Sequence, residues 1–526
     1  YEVIEQVTPH DEVELQESLD RLVASELVFQ RGVERQAQYR FKHALVQDVA
    51  YASLRRRTRQ ARHQRIVQVL TEQFPETAEA QPELLAHHFT AADLPEQALP
   101  HWCRAGQRAV ERSAYVEAIR HLSTGLELLT ALPDTAEHRQ HRLTIYLGLG
   151  IAFKATKGQA APEVEHFQSL ARTLCQQMGE SPQLFWVLAG LRKYYAGQGA
   201  LRVAQELGEA CLALSHKLQD PMLCIDAHYE LGNPLFWLGE FAQAHTHFAQ
   251  CLALASKQPA AILRGRVDCY PDVGSLIYMA LTLWVLGFPD QALQRSQEAL
   301  TLAQDISNPY GLALAQIYAA KLHVFRREAS AVFEQAERNI ALAKKNGFPG
   351  PETLSTVRRG WALAAQGQGE EGIAQMRQGL TAWQLTGGGA EKPHFLSLLA
   401  EAYGQNGQSD EGLRLLDEAL TTLHRQEEGW CEAELHRLRG ELLQQQTVPE
   451  PSQAAACFQQ ALTIARRQRA KSWELRAVTN LARLWQQQGQ RRQAYELLAP
   501  VYDWFTEGFD TADLKDAATL LEELRA

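Results

Sequence analysis

Leu231-Gly232, then Leu238-Gly239-Glu240-Phe241, then Ala244, Phe248 and Cys251 read as two helices joined by a tight turn. A small residue at 232 lets the first helix approach its neighbour. Gly239 ends that helix, because glycine takes the left-handed conformation without steric cost. Ala244 is small where the second helix crosses the first. Phe248 and Cys251 follow at helical spacing and face the same core.

The frame recurs along the chain. One copy has Ala280, Gly287, Ala292 and Ala299; another has Gly360, Gly367, Gly372, Met376 and Gly379. Further copies carry Ala400, Gly407, Gly412, Leu416 and Ala419, then Gly440, Ala454, Phe458 and Ala461, then Ala482, Gly489, Ala494, Leu498 and Val501. Upstream copies are weaker, around Ala86, Ala98, Trp102 and Ala105, and around Gly199, Ala204 and Cys211. Residues 141–180 and 310–346 read as helix pairs with poor frames. Ala244 and Ala292 lie 48 residues apart, and Gly372 and Gly412 lie 40 apart. The ideal unit of this kind repeats every ~34 residues. Longer helices or longer connections are therefore expected, with loops at residues 259–271, 386–389 and 447–451.

The pattern is that of tetratricopeptide repeats. The expected fold is all-α: a tetratricopeptide-like α-solenoid, a right-handed superhelix of helical hairpins in which neighbours bury what one pair cannot. The first residues differ. Residues 12–25 predict an amphipathic helix with Leu15, Leu19, Leu22 and Val23 inward. Residues 27–31 and 39–41 alternate as two short strands. A helix follows from about His43, carrying Val46, Val49, Ala50 and Leu54. Helix, β-hairpin and helix together match the second half of a winged helix. The organisation expected is a partial winged-helix domain over 1–75, irregular helical repeats over 76–215, central repeats over 216–350, C-terminal repeats over 351–508 and a capping helix over 509–526.

Composition excludes several classes. The formal charge is -10, from 52 basic and 62 acidic side chains, which disfavours non-specific nucleic-acid binding. No apolar run is long enough to span a membrane, and no signal peptide is visible. The eight cysteines are scattered without a Cys-x-x-Cys pair, which suits reduced thiols in the cytoplasm. The chain starts at Tyr1 rather than Met, so it is expected to be part of a longer protein.

No catalytic constellation is legible. There is no Gly-x-x-x-x-Gly-Lys-[Ser/Thr] loop and no Gly-x-Ser-x-Gly elbow, so the chain itself reads as a non-enzyme. The histidines number 18, with close sets at His87-His88, His138-x-x-His141 and His245-x-His247. None has zinc-ligand spacing, and no metal site is expected. The arginine run over residues 55–65 reads as a solvated face or a docking face, since nucleic-acid binding would want interleaved aromatics.

The binding surface of such repeats is the concave face lined by first helices. The frame places Tyr229, Asn233, Phe236 and Trp237 there, then Ile277, Leu281, Trp284 and Val285. Further on come Arg358, Trp361, Glu401, Arg437, Glu441, Arg476 and Arg483. Aromatics beside arginine are what binding hot spots use. The competing reading is that Trp237 and Trp284 are simple core.

Specific stretches carry a family resemblance. They are Tyr39-Arg40-Phe41-Lys42-His43-Ala44-Leu45, Leu283-Trp284-Val285-Leu286-Gly287-Phe288-Pro289-Asp290-Gln291-Ala292, Gly360-Trp361-Ala362-Leu363, Ala433-Glu434-Leu435-His436-Arg437-Leu438-Arg439-Gly440-Glu441, and the run from Trp504 to Leu514. On these, essentially the whole chain resembles the C-terminal winged-helix and tetratricopeptide region of large bacterial signalling proteins. In that family an adenylate/guanylate cyclase or other output domain precedes a STAND-type AAA ATPase. The resemblance implies a regulatory interaction scaffold that senses a protein, peptide or small effector and controls a nucleotide-binding domain in cis. It implies no cofactor in this chain, with ATP or ADP belonging to the full-length parent. It also implies that His43, at the end of the winged helix, contacts nucleotide phosphates once the upstream domain is present. Two alternatives stand beside this reading: a portion of an ATP-dependent cyclase or transcriptional activator, and a structural oligomerisation scaffold.

Overall fold

Proline marks where most first helices begin. Pro221, Pro271, Pro309 and Pro349 each sit in the first turn of their helix, where the missing N–H costs nothing and φ is already helical. The turns are as short as the sequence frame requires: Pro221–Trp237 passes to Phe241–Ala255 through Gly239 at φ +82°. Gly232 faces the ring of Phe248, and a Cβ at 232 would lie 2.6 Å from Phe248 Cε1. The small residue there is what allows the two helices to close on each other.

The computed structural model describes residues 1–8, 10–32, 37–112, 114–157, 161–259, 270–306, 308–385 and 391–525. Among the described residues the chain is all-α, 27 helices with a single two-stranded sheet. The repeats are tetratricopeptide-like helical hairpins. Typical members are 17 or 18 residues long, as in Pro349–Ala365, Gly369–Leu385 and Ser409–Gln426. Extended helices therefore account for the 40-residue spacing. The expected loop at 447–451 joins Glu432–Gln444 to Pro451–Gln468. The loop expected at 386–389, and most of that at 259–271, lie outside the described residues.

Contacts divide the chain into two units, Tyr1–Lys157 with Ala161–Gln177, and a second that includes Met178–Ala526. The first unit opens with the helix Glu2–Val7. It continues with Glu12–Ala24, antiparallel strands Val28–Arg31 and Gln38–Phe41, and the helix Ala44–Ser53. Val28 pairs with Phe41 and Arg31 with Gln38. Leu15 and Leu19 are buried as expected, but Leu22 and Val49 are exposed, and Ala44–Ser53 buries none of its residues. Helical hairpins follow, Pro82–Ala91 with Pro95–Glu111 and Tyr115–Leu129 with Ala136–Lys157.

In the second unit the two helices of each repeat differ in kind. Pro289–Asp305 is amphipathic and buries one stripe, whereas Pro271–Leu286 is buried on nearly every face. A helix apolar all round belongs inside a core. What covers its far side is the end of the same array. Trp284 stacks edge-on against Trp473 with ring centroids 4.7 Å apart, and Ser472 Oγ donates to the Trp284 carbonyl. The Gly429 and Trp430 amides donate to the Trp237 carbonyl at 2.8 and 3.2 Å. Glu507 caps the helix Pro289–Asp305, accepting from the Asp290 and Gln291 amides at 2.9 and 3.1 Å, while the Gly508 amide donates back to Asp290 Oδ2 at 3.0 Å. The repeats around 221–291 and 429–511 thus meet along a seam, and one apolar core runs from Leu201 to Trp473 across it.

Candidate functional site

Past residue 291 the first side of the seam runs on to residues 324–327, and there it does not close. A polar cavity of about 120 Å³ lies between 324–327 and 473–516, lined also by the helices between them in the chain. Phe325, at the C-terminal end of Pro309–Phe325, and Arg327 wall one side; Trp473, Arg476 and Asp513 wall the other. Drug-sized ligands occupy pockets of roughly 300–1,000 Å³, and a water takes ~30 Å³ of liquid volume. The cavity therefore fits a few heavy atoms, one small molecule or one side chain of a larger partner.

Its floor is a guanidinium–carboxylate lattice. Arg437 and Arg476 lie one repeat apart at equivalent turns of Glu432–Gln444 and Lys471–Gln487. Glu434 sits between them. Arg437 donates to both of its oxygens at 2.8 Å, and Arg476 Nη1 donates to Oε1 at 3.0 Å. Burial raises the carboxyl, but the two guanidiniums outweigh it and hold Glu434 at about 2. Arg437 also pairs with Glu441 at 2.5 Å, and Arg476 with Asp513 at 2.8 Å. Arg476 reaches across to the Phe325 carbonyl, tying the two sides of the seam. At the mouth, Arg327 pairs with Asp516 at 3.1 Å and Asp513 at 3.6 Å.

Two charged groups in the lining are unspent. Glu401 accepts one hydrogen bond, from Trp361 Nε1 at 2.9 Å, and has no ion-pair partner among the described residues. Burial pushes its carboxyl upward, against the Trp361 hydrogen bond and the charge of Arg437. Arg483 is exposed and likewise has no ion pair among the described residues. Two buried ring nitrogens in the wall, Trp473 Nε1 and His394 Nδ1, also have no hydrogen-bond partner there.

Trp361, Glu401, Arg437, Glu441, Arg476 and Arg483, placed on one face by the repeat frame, are brought together in this cavity. The other nine residues expected on that face lie outside the cavity, with Ile277, Leu281 and Val285 buried in the apolar core. Phe236, Trp237 and Trp284 are core, at 0, 5 and 2% exposure, because the far repeats of the array cover them. Asn233 is buried and accepts from Arg192 at 3.0 Å; Tyr229 is half-buried. Arg358 is fully buried and pairs with Glu391 at 2.8 Å. Sequence reasoning missed Glu434, Asp513, Trp473 and Asn480. The spacing of Glu434 and Arg437 is an ordinary i,i+3 pair on a helix. Nothing in the sequence announced that Arg476 would converge on the same carboxylate.

Behind the cavity wall lies a second cluster. Lys321 is fully buried, its Nζ 3.9 Å from the ring centre of Trp430 and 4.7 Å from that of Trp237. Its ion pair with Glu391 spans 3.5 Å. Burial lowers its ammonium to about 8, with Glu391 opposing, and raises neighbouring Glu428 to about 7 although Trp430 Nε1 donates to it.

His43 stands at the N-cap of Ala44–Ser53, exposed and without a capping bond from its side chain. In the arginine run, Arg59 lies over the Tyr51 ring at 5.0 Å and Arg56 pairs with Asp93 at 2.9 Å. Among the described residues no group of three or more His, Cys, Asp or Glu is placed to hold a metal ion, and no helix is long and apolar enough to cross a membrane.

No family model matches this chain. It is 24% identical over 443 residues to an uncharacterized protein of Rhizobium meliloti (strain 1021), a match that covers 84% of this chain and 43% of that protein. The chain thus spans less than half the length of this relative. Solved structures similar to it include Rap protein complexed with competence and sporulation factor, with TM-score 0.48 and 12% identity, covering 70% of this chain and 98% of that one. The apo quorum sensor NprR from B. thuringiensis has TM-score 0.42 and 12% identity, covering 70% and 99%. A STAND protein with a tetratricopeptide repeat sensor from Pyrococcus horikoshii has TM-score 0.38 and 14% identity, covering 73% and 60%.

Proposed function

We propose that this chain is a regulatory interaction scaffold. Its repeat array binds a protein, peptide or small effector at the seam cavity, and the state of the seam passes that binding to an attached nucleotide-binding signalling domain in cis. The observation that carries this reading is the position of the cavity: residues 324–327 line it on one side and residues 473–516 on the other, and these two stretches meet across it. A ligand that touches both walls binds the closed and open arrangements with different affinity, which is what a switch needs. His43, in the first unit, would contact the phosphates of a nucleotide held by an upstream nucleotide-binding domain. The chain alone is expected to hydrolyse no ATP.

The test is amide hydrogen exchange on the wild type and on a seam variant, Trp504→Ala with Glu507→Ala. Trp504 packs on Phe288 with centroids 5.6 Å apart, so the pair removes both the apolar and the capping halves of the contact. Faster exchange confined to residues 284–291 and 504–511, with 351–430 unchanged, is the expected result. Unchanged exchange at the seam, or loss of protection throughout the array, would remove the switch.

A further inference from the structure

The charges of the cavity point to one chemistry of ligand, on the reading that the cavity is the effector site. Glu434, Glu441, Asp513 and Asp516 are each committed to an arginine, and Arg437, Arg476 and Arg327 are each committed to carboxylates. What is left over in the lining, among the described residues, is one acid, Glu401, and one base, Arg483. They do not pair with each other, although both line the same cavity. The wall also offers an indole N–H on Trp473, buried and without a hydrogen-bond partner among the described residues.

A purely anionic ligand would find Arg483 and Trp473 but would face Glu401 and Glu441. A purely cationic one would find Glu401 but would meet Arg483 at the mouth. A molecule with one charge of each sign satisfies both ends, and a volume of about 120 Å³ limits it to a few heavy atoms. We propose that the cavity binds a free α-amino acid as the zwitterion, its ammonium against Glu401 and its carboxylate against Arg483 and the Trp473 indole N–H. Charge-assisted bonds at both ends supply the affinity, while Trp361 and Phe325 set the space left for the side chain. The upward push of burial on Glu401 fits a carboxyl that lacks its cation, and a bound ammonium would restore the carboxylate.

The experiment is titration calorimetry of the full chain with each of the common free L-amino acids, backed by tryptophan fluorescence. For any amino acid that binds, its N-acetyl derivative and its carboxamide each delete one charge. The proposal expects at least one free amino acid to bind at millimolar concentration or below. Each derivative should bind at least about tenfold more weakly. Glu401→Gln should weaken the ligand's ammonium end and Arg483→Ala its carboxylate end, each by a similar factor. Arg483 is exposed, so that variant keeps the fold and remains decisive if Glu401→Gln does not express. Derivatives that bind as well as the free amino acid, or an Arg483→Ala variant that binds like wild type, would overturn the zwitterion while leaving the cavity as a site. Silence from every amino acid would overturn it too, and the seam exchange experiment would then tell whether the regulatory reading falls with it.

Discussion

Replacing Glu434 with Gln changes one atom and removes the charge on which two arginines converge. Its folded carboxyl is held at about 2 against an ordinary 4.5. At about 1.4 kcal/mol per pKa unit, that difference is worth roughly 3 kcal/mol. Breaking a buried pair from one side typically costs about 3–5 kcal/mol. The lower end applies, since Arg437 keeps Glu441 and Arg476 keeps Asp513. The two routes agree on a loss of roughly 3 kcal/mol at pH 7. The sign fixes the pH window. A carboxyl lowered by folding stabilises fully above its unfolded value near 4.5, and that contribution is lost as pH falls toward 2. The gap between wild type and Glu434→Gln should therefore be flat from pH 7 to 5 and close below it. Urea unfolding followed by tryptophan fluorescence at a series of pH values reads both features. A gap under about 1 kcal/mol at pH 7, or one that persists unchanged at pH 3, would refute a charge-based role for Glu434.

Other perturbations test other parts of the array. Lys321→Met should abolish a rise in stability between pH 8 and 10.5, because a lysine lowered to about 8 by burial favours the fold more once it is neutral; thermal scans across that range would read a missing rise of roughly 3 kcal/mol. His88 pairs with His63 at 2.8 Å and His228 with His247 at 3.0 Å, and burial holds both His88 and His228 at about 4. Their neutral forms support the fold above pH 6.5, and that support is lost as pH falls from 6.5 through 4. The double variant His88→Asn with His228→Asn should flatten the acid limb of a melting-temperature profile. Gly232→Ala should destabilise by about 1–3 kcal/mol through overpacking on Phe248, measured by chemical denaturation.

The repeat frame carried most of the fold because its small residues have a physical purpose that sequence displays directly. Gly232 under Phe248 and Gly440 under Phe458 are the same device, with a Cβ at either glycine falling within 2.6 Å of the ring. The short hairpin and the helix after it were equally legible from alternation and spacing. The groove was legible only in part. A frame tells which side of a helix faces inward, not whether another segment already occupies that side. Trp237 and Trp284 face inward and are covered by Trp430 and Trp473, almost 200 residues later in the chain. One signal was present: residues 271–286 are apolar on every face, which an open groove helix would not be. Leu22 was expected inward on the strength of periodicity alone, yet it is exposed. Periodicity names a face without naming its partner.

The energetics of the array make the outer end of the seam separable from the rest. In a stack of repeats each hairpin is held mainly by its two neighbours, and those interfaces do not depend on distant ones. The seam is the exception. Its inner part is continuous apolar core, with Trp237 on Trp430 and Trp284 on Trp473. Its outer end joins residues more than 200 apart through a glutamate cap, a returned amide and one tryptophan on a phenylalanine. A capping interaction is worth about 1 kcal/mol and an aromatic pair about the same beyond its area, each far less than the burial of the inner part. Opening the outer end therefore costs a small part of what unfolding costs, and the inner core and the repeats on either side can stay folded while it happens. The step is not free, because moving the last helix away strips Arg327 from Asp513 and Asp516. An effector seated in the cavity alters that last cost directly, since the residues it would touch are the ones the opening pulls apart. A ligand worth only about 1.4 kcal/mol of differential binding shifts such an equilibrium tenfold, so even a weakly held small molecule is enough to set the state of the scaffold.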